Sequence, residues 1–434
     1  MPAAHVPAAR RWLLVAPALL LLWIVGQIDK THISLIIADR AFLTELNLEG
    51  HHPELGGLMS AFFVGYGAAI FAWGFLVDRF GPRRCAMAGT LCWGAVLFLS
   101  SRVGGITEYL LIRFLLGVAE GNLWPVSNAL TNRWFPVREH SRVQAFWITG
   151  APLGTAIGVP IVTALMLANG WRGALAALSL ISLIPVAFFA FVSDWPHEHE
   201  RIGEAELRDI ERDRKSAAGT RRMSFAELLR SRAFWLITVC QVASATTIYT
   251  LIHWLPSYLN GLRHLPFKSM GGWITAGYLL ATAVTLGAGY VADRTMQRAL
   301  TGAAVSVGFV LLVLPAAQLL SPAGSAVVLA ALISVPCATA ALNGALMHTQ
   351  VQPDAIARGT GVYVGIGNFV SALGPTVFGV LITAMAGEYW GGFMFLAALN
   401  ALAAGCYLAL YRSSGPALRT RRTAQGKHAD RPLH

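Results

Sequence analysis

Long apolar stretches alternate with short polar ones along most of the chain. A helix of about 20 apolar residues crosses the hydrocarbon core of a bilayer, which is about 30 Å thick. Twelve stretches have this character, so the pattern predicts an all-α membrane protein with twelve transmembrane helices. The predicted spans, numbered one to twelve in chain order, are residues 12–38, 55–77, 85–101, 107–132, 143–168, 172–192, 233–259, 270–291, 301–320, 324–350, 357–384 and 389–411.

One polar segment, residues 193–232, is longer than every other gap and divides the spans into two sets of six. The pattern therefore predicts an N-terminal half over 1–192, a C-terminal half over 233–411 and a basic, disordered tail over 412–434. Within the linker, the stretch from Glu204 to Lys215 predicts an amphipathic or solvated helix, because opposite charges recur four residues apart. We assign this linker no chemistry.

Composition supports membrane insertion and indicates the orientation. The chain is 55% hydrophobic and 13% charged, with a net charge of +11. With both termini cytoplasmic, the cytoplasmic loops hold 26 of the 33 basic residues with 14 acidic ones, whereas the outer loops hold five basic and six acidic residues. Lys and Arg concentrate on the cytoplasmic side of membrane proteins. The excess therefore indicates topology, and we expect a multi-pass protein of a bacterial inner membrane that does not bind nucleic acid.

Four charged residues lie inside the predicted spans and away from the span ends: Asp29 and Lys30 in span one, and Arg113 and Glu120 in span four. Placing a charge at the bilayer centre costs at least about 2.5 to 3.5 kcal/mol, so such residues usually have a function. A cation there can bind a carboxylate, and a desolvated carboxylate can take up and release a proton. The alternative is a static ion pair between helices. A cross pair of Asp29 with Arg113 would leave Lys30 and Glu120 freer.

The loop between spans two and three carries a pattern whose start is repeated at Gly289 to Arg294, 215 residues later. The pattern resembles the signature of the major facilitator superfamily. That resemblance implies two six-helix halves that rock about a substrate site near the bilayer midplane. It also makes this loop a conformational gating element, with marked positions at Gly74, Asp78, Arg79, Gly81 and Arg83.

Four short motifs follow one another along the chain: Asp29-Lys30, the segment from Arg113 to Gly121, Trp134-Phe135-Pro136 and the segment from Trp254 to Leu259. Their order resembles that of the anion:cation symporters, which include bacterial galactonate, hexuronate and phthalate permeases and the vesicular glutamate transporters. The resemblance implies that Glu120 is the proton-carrying carboxylate, that Asp29 is a second protonatable acid and that Arg113 couples proton and substrate.

Lys30 stands where the bacterial members usually have a substrate-binding arginine. Lysine is a point charge without the bidentate fork of arginine, so either the site takes a smaller or differently oriented carboxylate or its anion binding is weakened. Tyr66 and Asn368 match substrate-contacting positions of the sugar-acid permeases. Gln27 departs from those permeases, which argues against a sugar acid. His253, beside Trp254, is a further binding candidate, although a lone buried histidine is more often a core residue.

These residues predict a proton-coupled symporter that imports a small organic anion by alternating access. The alternative is an antiporter that exports or exchanges organic anions or drugs. We find no metal-ligand spacing, nucleophile motif or phosphate-binding loop, so we expect neither an enzyme nor any cofactor beyond the coupling protons. The expected partners are the anion, protons and the lipid bilayer, and we expect a monomer.

Overall fold

A computed structural model describes residues 10–136, 139–217, 225–262, 264–295, 297–318, 322–350 and 356–429. Within these ranges the regular structure is helical and no β-strand occurs. The α-helices are α1 (Arg10–Leu14), α2 (Ala16–Ile36), α3 (Arg40–Glu45), α4 (His52–Phe80), α5 (Pro82–Ser100), α6 (Ile106–Glu120), α7 (Leu123–Trp134), α8 (His140–Ile148), α9 (Gly150–Ile181), α10 (Ile184–Phe189), α11 (Glu204–Ala217), α12 (Phe225–Arg230), α13 (Arg232–Ser257), α14 (Phe267–Thr295), α15 (Arg298–Gln318), α16 (Pro322–Gln350), α17 (Ile356–Ser371), α18 (Gly374–Ala384) and α19 (Trp390–Ala429).

Each predicted span coincides with helix, which confirms the all-α fold class. Seven helical stretches of the described chain are long and apolar enough to cross a membrane, or eight when the bent pair within α4 counts as one. One of the seven, Arg142–Phe189, contains predicted spans five and six. Spans three, four and nine are also helical, as α5, as α6 followed by α7, and as α15. The twelve-helix prediction is consistent with this arrangement.

Small residues mark the places where spans bend or turn. Gly170 separates spans five and six inside α9, with a φ of 65° that side chains rarely adopt. Gly121 and Asn122 separate α6 from α7, so span four loosens directly after Glu120. A side chain on Gly121 would meet Ala69 of α4 at 2.9 Å, so this glycine permits close approach of the two helices.

The two halves of the bundle meet at the end opposite the chain termini, here called the far end. The Ser60 and Thr376 hydroxyl oxygens lie 2.6 Å apart, which joins α4 to α18. Backbone contact is closer still, because a Cβ on Gly56 would lie 2.4 Å from the Pro375 carbonyl oxygen. A Cβ on Gly379 would lie 2.3 Å from the carbonyl oxygen of His52. We call these α4–α18 contacts the far-end interlock.

The linker contains α11, which confirms a helix where the sequence predicts one. Its residue Glu206 binds Arg11 of α1 at 3.1 Å, and Arg11 also binds Glu139 at 2.8 Å. The linker helix is therefore fastened to the N-terminal half by a largely buried guanidinium. The last helix, α19, extends to Ala429, into the segment for which the sequence predicts a disordered tail.

Candidate functional site

Lys30 and Glu120 form a buried ion pair at the centre of the N-terminal half. Lys30 Nζ lies 2.5 Å from Glu120 Oε2, and the two side chains are 12% and 0% exposed. Lys30 projects from the middle of α2, whereas Glu120 is the last residue of α6. Nζ also donates to the Gly26 carbonyl oxygen at 3.3 Å. A Cβ on Gly26 would lie 3.2 Å from Leu123 Cδ2, so this glycine permits close approach of α2 to α7.

Aromatic rings flank the cations of this pair and of its neighbour. Lys30 Nζ lies 5.1 Å from the centre of the Tyr66 ring, which stacks on Phe62. Arg113 lies over the other ring of this stack, with its guanidinium carbon 4.8 Å from the Phe62 centroid. A cation near an aromatic face is stabilised by the ring quadrupole, by about 2 kcal/mol or more once desolvated. Two turns of α4 thus support both positive charges.

Arg113 and Asp29 have neutral partners. Arg113 Nε donates to the Leu58 carbonyl oxygen at 3.1 Å, and the residue is fully buried. Ser182 Oγ donates to Asp29 Oδ2 at 2.9 Å. The sequence allows a cross pair of Asp29 with Arg113, but the structure gives each of these two residues a different partner. It is Lys30 and Glu120 that bond directly, because α2 and α6 bring their side chains together.

Two atoms of the buried charged groups have no hydrogen-bond partner among the described residues. They are Glu120 Oε1 and Arg113 Nη1, both shielded from solvent. Buried polar atoms are usually satisfied, and an unsatisfied one costs about 1 to 3 kcal/mol or more. Glu120 can therefore accept a proton on Oε1 without first breaking its bond to Lys30.

The binding candidates of the C-terminal half lie where the halves approach each other. Asn368 Oδ1 accepts a hydrogen bond from the Tyr249 hydroxyl at 3.3 Å. The Tyr249 ring in turn packs on Phe63 of α4, with centroids 4.2 Å apart. The pair Tyr249 and Asn368 thus faces the helix that carries Tyr66.

His253 is a contact between the halves. Its Nε2 lies 2.9 Å from the Leu55 carbonyl oxygen, so this nitrogen carries the hydrogen and donates it. The other ring nitrogen, Nδ1, has no partner among the described residues. His253 therefore lies at the far end, next to the far-end interlock. Among the described residues, no hydrogen bond joins it to the ion pair of Lys30 and Glu120.

The predicted gating loop is held inside the N-terminal half. Asp194 accepts from the backbone N–H of Arg83 at 2.8 Å, and its carboxylate occupies the position that a Cβ on Gly81 would take. Gly81 has a φ of 89°, which explains the glycine at this turn. Asp78 and Arg79 are exposed, and a Cβ on Gly74 would meet open space.

Close helix packing positions the site. Gly150, Gly154 and Gly158 of α9 lie against α2, as the sequence indicates; a Cβ on Gly154 would lie 2.5 Å from the Ile24 carbonyl oxygen. Two other glycines join α4 to α6 even more closely. A Cβ on Gly117 would lie 2.0 Å from the Phe62 carbonyl oxygen, and one on Gly65 would lie 2.2 Å from that of Phe114.

Sequence reasoning missed several partners at the site. Phe62, Ser182 and Tyr249 carry no charge and sit in ordinary apolar sequence, so only the packing of separate helices identifies them. No group of three or more His, Cys, Asp or Glu side chains that could hold a metal ion occurs among the described residues.

The chain belongs to the Major Facilitator Superfamily, whose family model matches residues 14–375. The fold agrees, because a solved structure of a bacterial homologue of the human lysosomal transporter Spinster, inward-facing and unoccupied, superimposes with a TM-score of 0.74. That comparison covers 94% of this chain and 98% of the other at 14% identity, so it concerns the fold alone. Fold and family are those of membrane transporters and not of enzymes.

Curated relatives lie among carriers of organic anions, which confirms the predicted resemblance. A probable sulfoacetate transporter of Cupriavidus necator is 31% identical over 64% of each chain. A probable L-galactonate transporter of Escherichia coli is 30% identical over 64% of this chain and 61% of its own. A putative tartrate transporter of Agrobacterium vitis is 28% identical over 95% and 92%. The matches to the first two span slightly less than two thirds of those relatives.

Proposed function

We propose that this protein is a proton-coupled symporter that imports a small organic anion across a bacterial inner membrane. The observation that carries the proposal is the buried ion pair of Lys30 and Glu120, 2.5 Å apart within a major facilitator fold. The anion character of the substrate follows from the named relatives and from the cation at the centre of the bundle.

Charge balance couples the proton to the anion. With Lys30 protonated and Glu120 ionised, the pair is neutral, and burying a net charge in low dielectric is costly. An anion that binds Lys30 alone would leave one excess negative charge. Protonation of Glu120 removes that charge and releases Lys30 for the anion. Proton and anion therefore bind together more favourably than either binds alone.

The same charge balance includes Asp29 and Arg113. Asp29 is the second acid, held by Ser182, and Arg113 keeps a buried positive charge nearby. The four residues together are neutral, so uptake of one proton with a monoanion preserves neutrality. Protonation of Asp29 as well would add one charge, which gains about 2.3 kcal/mol per 100 mV of membrane potential.

The contacts between the halves support a state that is open toward the cytoplasm. Their contacts at the far end close that side, whereas Lys30 keeps part of its side chain exposed. With both termini cytoplasmic, this arrangement is an inward-facing state of a monomeric carrier. Tyr66, Tyr249 and Asn368 would contact the anion, and rocking of the halves would expose the same residues to the other side.

Transport in proteoliposomes tests the proposal, after thermal-shift screening of a panel that includes sulfoacetate, tartrate and hexuronates. Wild-type protein is expected to concentrate the anion under an inward proton gradient. Glu120→Gln is expected to abolish that accumulation and retain counterflow exchange. Glu108→Gln is the matched control, because this exposed glutamate begins the same helix. If Glu120→Gln still accumulates the anion, Glu120 is not the coupling acid.

Lys30 needs a charge-balanced variant, because Lys30→Ala alone leaves Glu120 buried without its partner. Removing one member of a buried pair costs about 3 to 5 kcal/mol. Lys30→Ala combined with Glu120→Gln is expected to fold and to lose anion binding by thermal shift. Wild-type affinity in this double variant would rule out Lys30 as the anion receptor.

A further inference from the structure

The face of α2 that carries Lys30 continues toward the far end as a row of small polar residues. Gln27, Lys30, Thr31 and Ser34 recur at three- and four-residue intervals, which places them on one side of the helix. Ser34 lies about 6 Å beyond Lys30 along the axis, at 1.5 Å per residue. The helix therefore connects the ion pair to the far-end region along a single face.

A small cavity lies beside this row, between the two halves. It has a volume of about 10 Å³, and α2 and α9 form one wall while α13 and α14 form the other. Such a volume is about that of one water molecule. Four of the residues that line it carry hydroxyl groups: Thr31, Ser34, Thr155 and Tyr278. We call these four the hydroxyl cluster.

Tyr278 is the member with unused hydrogen-bonding capacity. Its side chain is buried, and its hydroxyl has no partner among the described residues. The other three donate to backbone carbonyls of their own helices, Thr31 to Gln27, Ser34 to Thr31 and Thr155 to Ala151. A buried phenol without a partner is costly, and because Tyr278 lines the cavity, a polar ligand there would satisfy its hydroxyl.

A second cavity lies just beyond the C-terminal end of α2. It has a volume of about 200 Å³ and lies between Ala38, Asp39 and Arg40 of the N-terminal half and Asn260 of the C-terminal half. Arg40 is exposed there, beside the half-buried Asp39, whose carboxylate accepts a hydrogen bond from the Ala41 backbone N–H at 3.3 Å. Three features thus follow one another from the core outward: the Lys30 site, the hydroxyl cluster and this cavity with its exposed cation.

We propose that the hydroxyl cluster is a second polar binding station, which hydrogen-bonds the oxygen atoms of the transported anion when the far end is open. The anion would pass from the cavity at Arg40 to the cluster and then to Lys30. Rocking of the halves separates α2 and α9 from α13 and α14, and this movement widens the cavity. Tyr278 then donates its free hydroxyl, and the serine and threonine hydroxyls turn toward the anion. The proposal rests on the transport function proposed above.

Tyr278→Phe tests the station by the sidedness of transport. The variant removes one hydroxyl and keeps the ring. The KM for uptake from the far-end side is expected to rise about two- to tenfold, the value of one hydrogen bond. The KM for transport from the opposite side is expected to stay unchanged, because the station is closed in that state. Tyr389→Phe, another buried tyrosine of the same half, is the control and should change neither. Equal changes on both sides, or none, would overturn the role of Tyr278.

Thiol labelling tests the passage without any known substrate, so it separates failure of this proposal from failure of the transport function. Ser34→Cys is placed in a protein whose five cysteines are replaced, and a membrane-impermeant reagent is added at the far-end side. Ser34→Cys should react, whereas Thr90→Cys, buried within α5, should not. Thr376→Cys in the far-end interlock reports opening of the halves. Absence of labelling at Ser34→Cys while Thr376→Cys reacts would overturn the passage. Absence of labelling at both positions would overturn the opening of the halves, on which the transport function itself depends.

Discussion

The Lys30 ammonium is both the proposed anion-binding group and a group held in place by several packing contacts. Its ammonium is bound by Glu120, by the Gly26 carbonyl and by the Tyr66 ring, so its position is fixed to within a small volume. An ammonium has three rotatable donors and no planar fork. With one donor on Glu120 and another on Gly26, the third can point at a substrate oxygen.

Replacing Lys30 with arginine separates charge from shape. Lys30→Arg keeps the positive charge and the contact with the Tyr66 ring, so transport is expected to persist with a KM changed by less than about tenfold. Lys30→Met with Glu120→Gln removes the charge and is expected to raise KM by more than about tenfold, the value of a charge-assisted hydrogen bond. Initial-rate counterflow exchange, which does not require Glu120, measures both KM values over a substrate concentration series. Similar KM values for the two variants would contradict a charge-based anion site.

The four charged positions could be predicted from the sequence because a charge in hydrocarbon is costly wherever it lies. Their partners could not. The seven-residue spacing of Arg113 and Glu120 fixes their relation along one helix, but not which neighbouring helix meets them. Ser182 and Phe62, which hold Asp29 and Arg113, come from spans six and two. Partner choice is a property of tertiary packing.

Helix elements show the same division between what sequence predicts and what packing decides. The repeated glycines of α9 predict close approach, and α2 is indeed in contact with them. Gly117 precedes Gly121, and Gly65 precedes Ala69, each at a four-residue spacing of small residues, but this spacing does not identify the helix that packs there. Gly65 and Gly117 nevertheless allow the α4–α6 contact that places Phe62 against Arg113. Their role depends on where α4 and α6 cross, and the residue pattern of one helix does not specify that crossing point.

At the far end of the N-terminal half, Glu45 ties three elements together. Its carboxylate accepts from Arg172 Nε at 2.9 Å and from Trp171 Nε1 at 2.8 Å. Arg172 also donates to the carbonyl oxygens of Ser101 and Val103. The hydrogen bond that Glu45 accepts from Arg172 contributes most, and the one from Trp171 next, to holding the pKa of Glu45 below its ordinary value. Helix α3 is thereby fastened to α5 and α9.

This lowered pKa predicts the pH dependence of stability. A carboxylate with a lower pKa in the folded state stabilises the fold above its unfolded pKa, and that stability is lost as pH falls through the folded pKa. Glu45→Gln is therefore expected to lower Tm by at most a few degrees at pH 7, since the pair is partly exposed. The difference should disappear in strong acid.

Thermal unfolding of purified protein at several pH values measures this difference. Glu49→Gln is the matched control, because Glu49 lies in the loop directly after α3 and bonds only a threonine hydroxyl among the described residues. A difference between wild-type and Glu45→Gln that persists unchanged into strong acid would contradict an ionised-carboxylate mechanism.

For the whole molecule, the state of the carrier depends on the far-end interlock. Gly56 and Gly379 lie on opposite halves, and each lets a backbone carbonyl of the other half approach to where a side chain would be. A methyl group at either position overlaps backbone atoms, which cannot move aside without separating α4 from α18. The two-half architecture could be predicted from the long linker and the repeated loop. The interlock could not, because it exists in one arrangement of the halves.

Gly379→Ala is expected to shift the protein toward the state that is open at the far end. Overpacking typically costs about 1 to 3 kcal/mol, and here the cost applies only while the halves touch. The equilibrium should therefore change by about five- to 150-fold, since 1.4 kcal/mol corresponds to a factor of ten. Ser257→Cys reports the shift, because the Ser257 hydroxyl bonds the Ile37 carbonyl across the halves at 3.5 Å. Its labelling from the far-end side should accelerate in the Gly379→Ala background.

Gly308→Ala is the control. A Cβ on Gly308 would meet open space, so this variant should leave the labelling rate of Ser257→Cys unchanged. Equal rates in the two backgrounds, with both proteins folded, would show that the interlock does not control access.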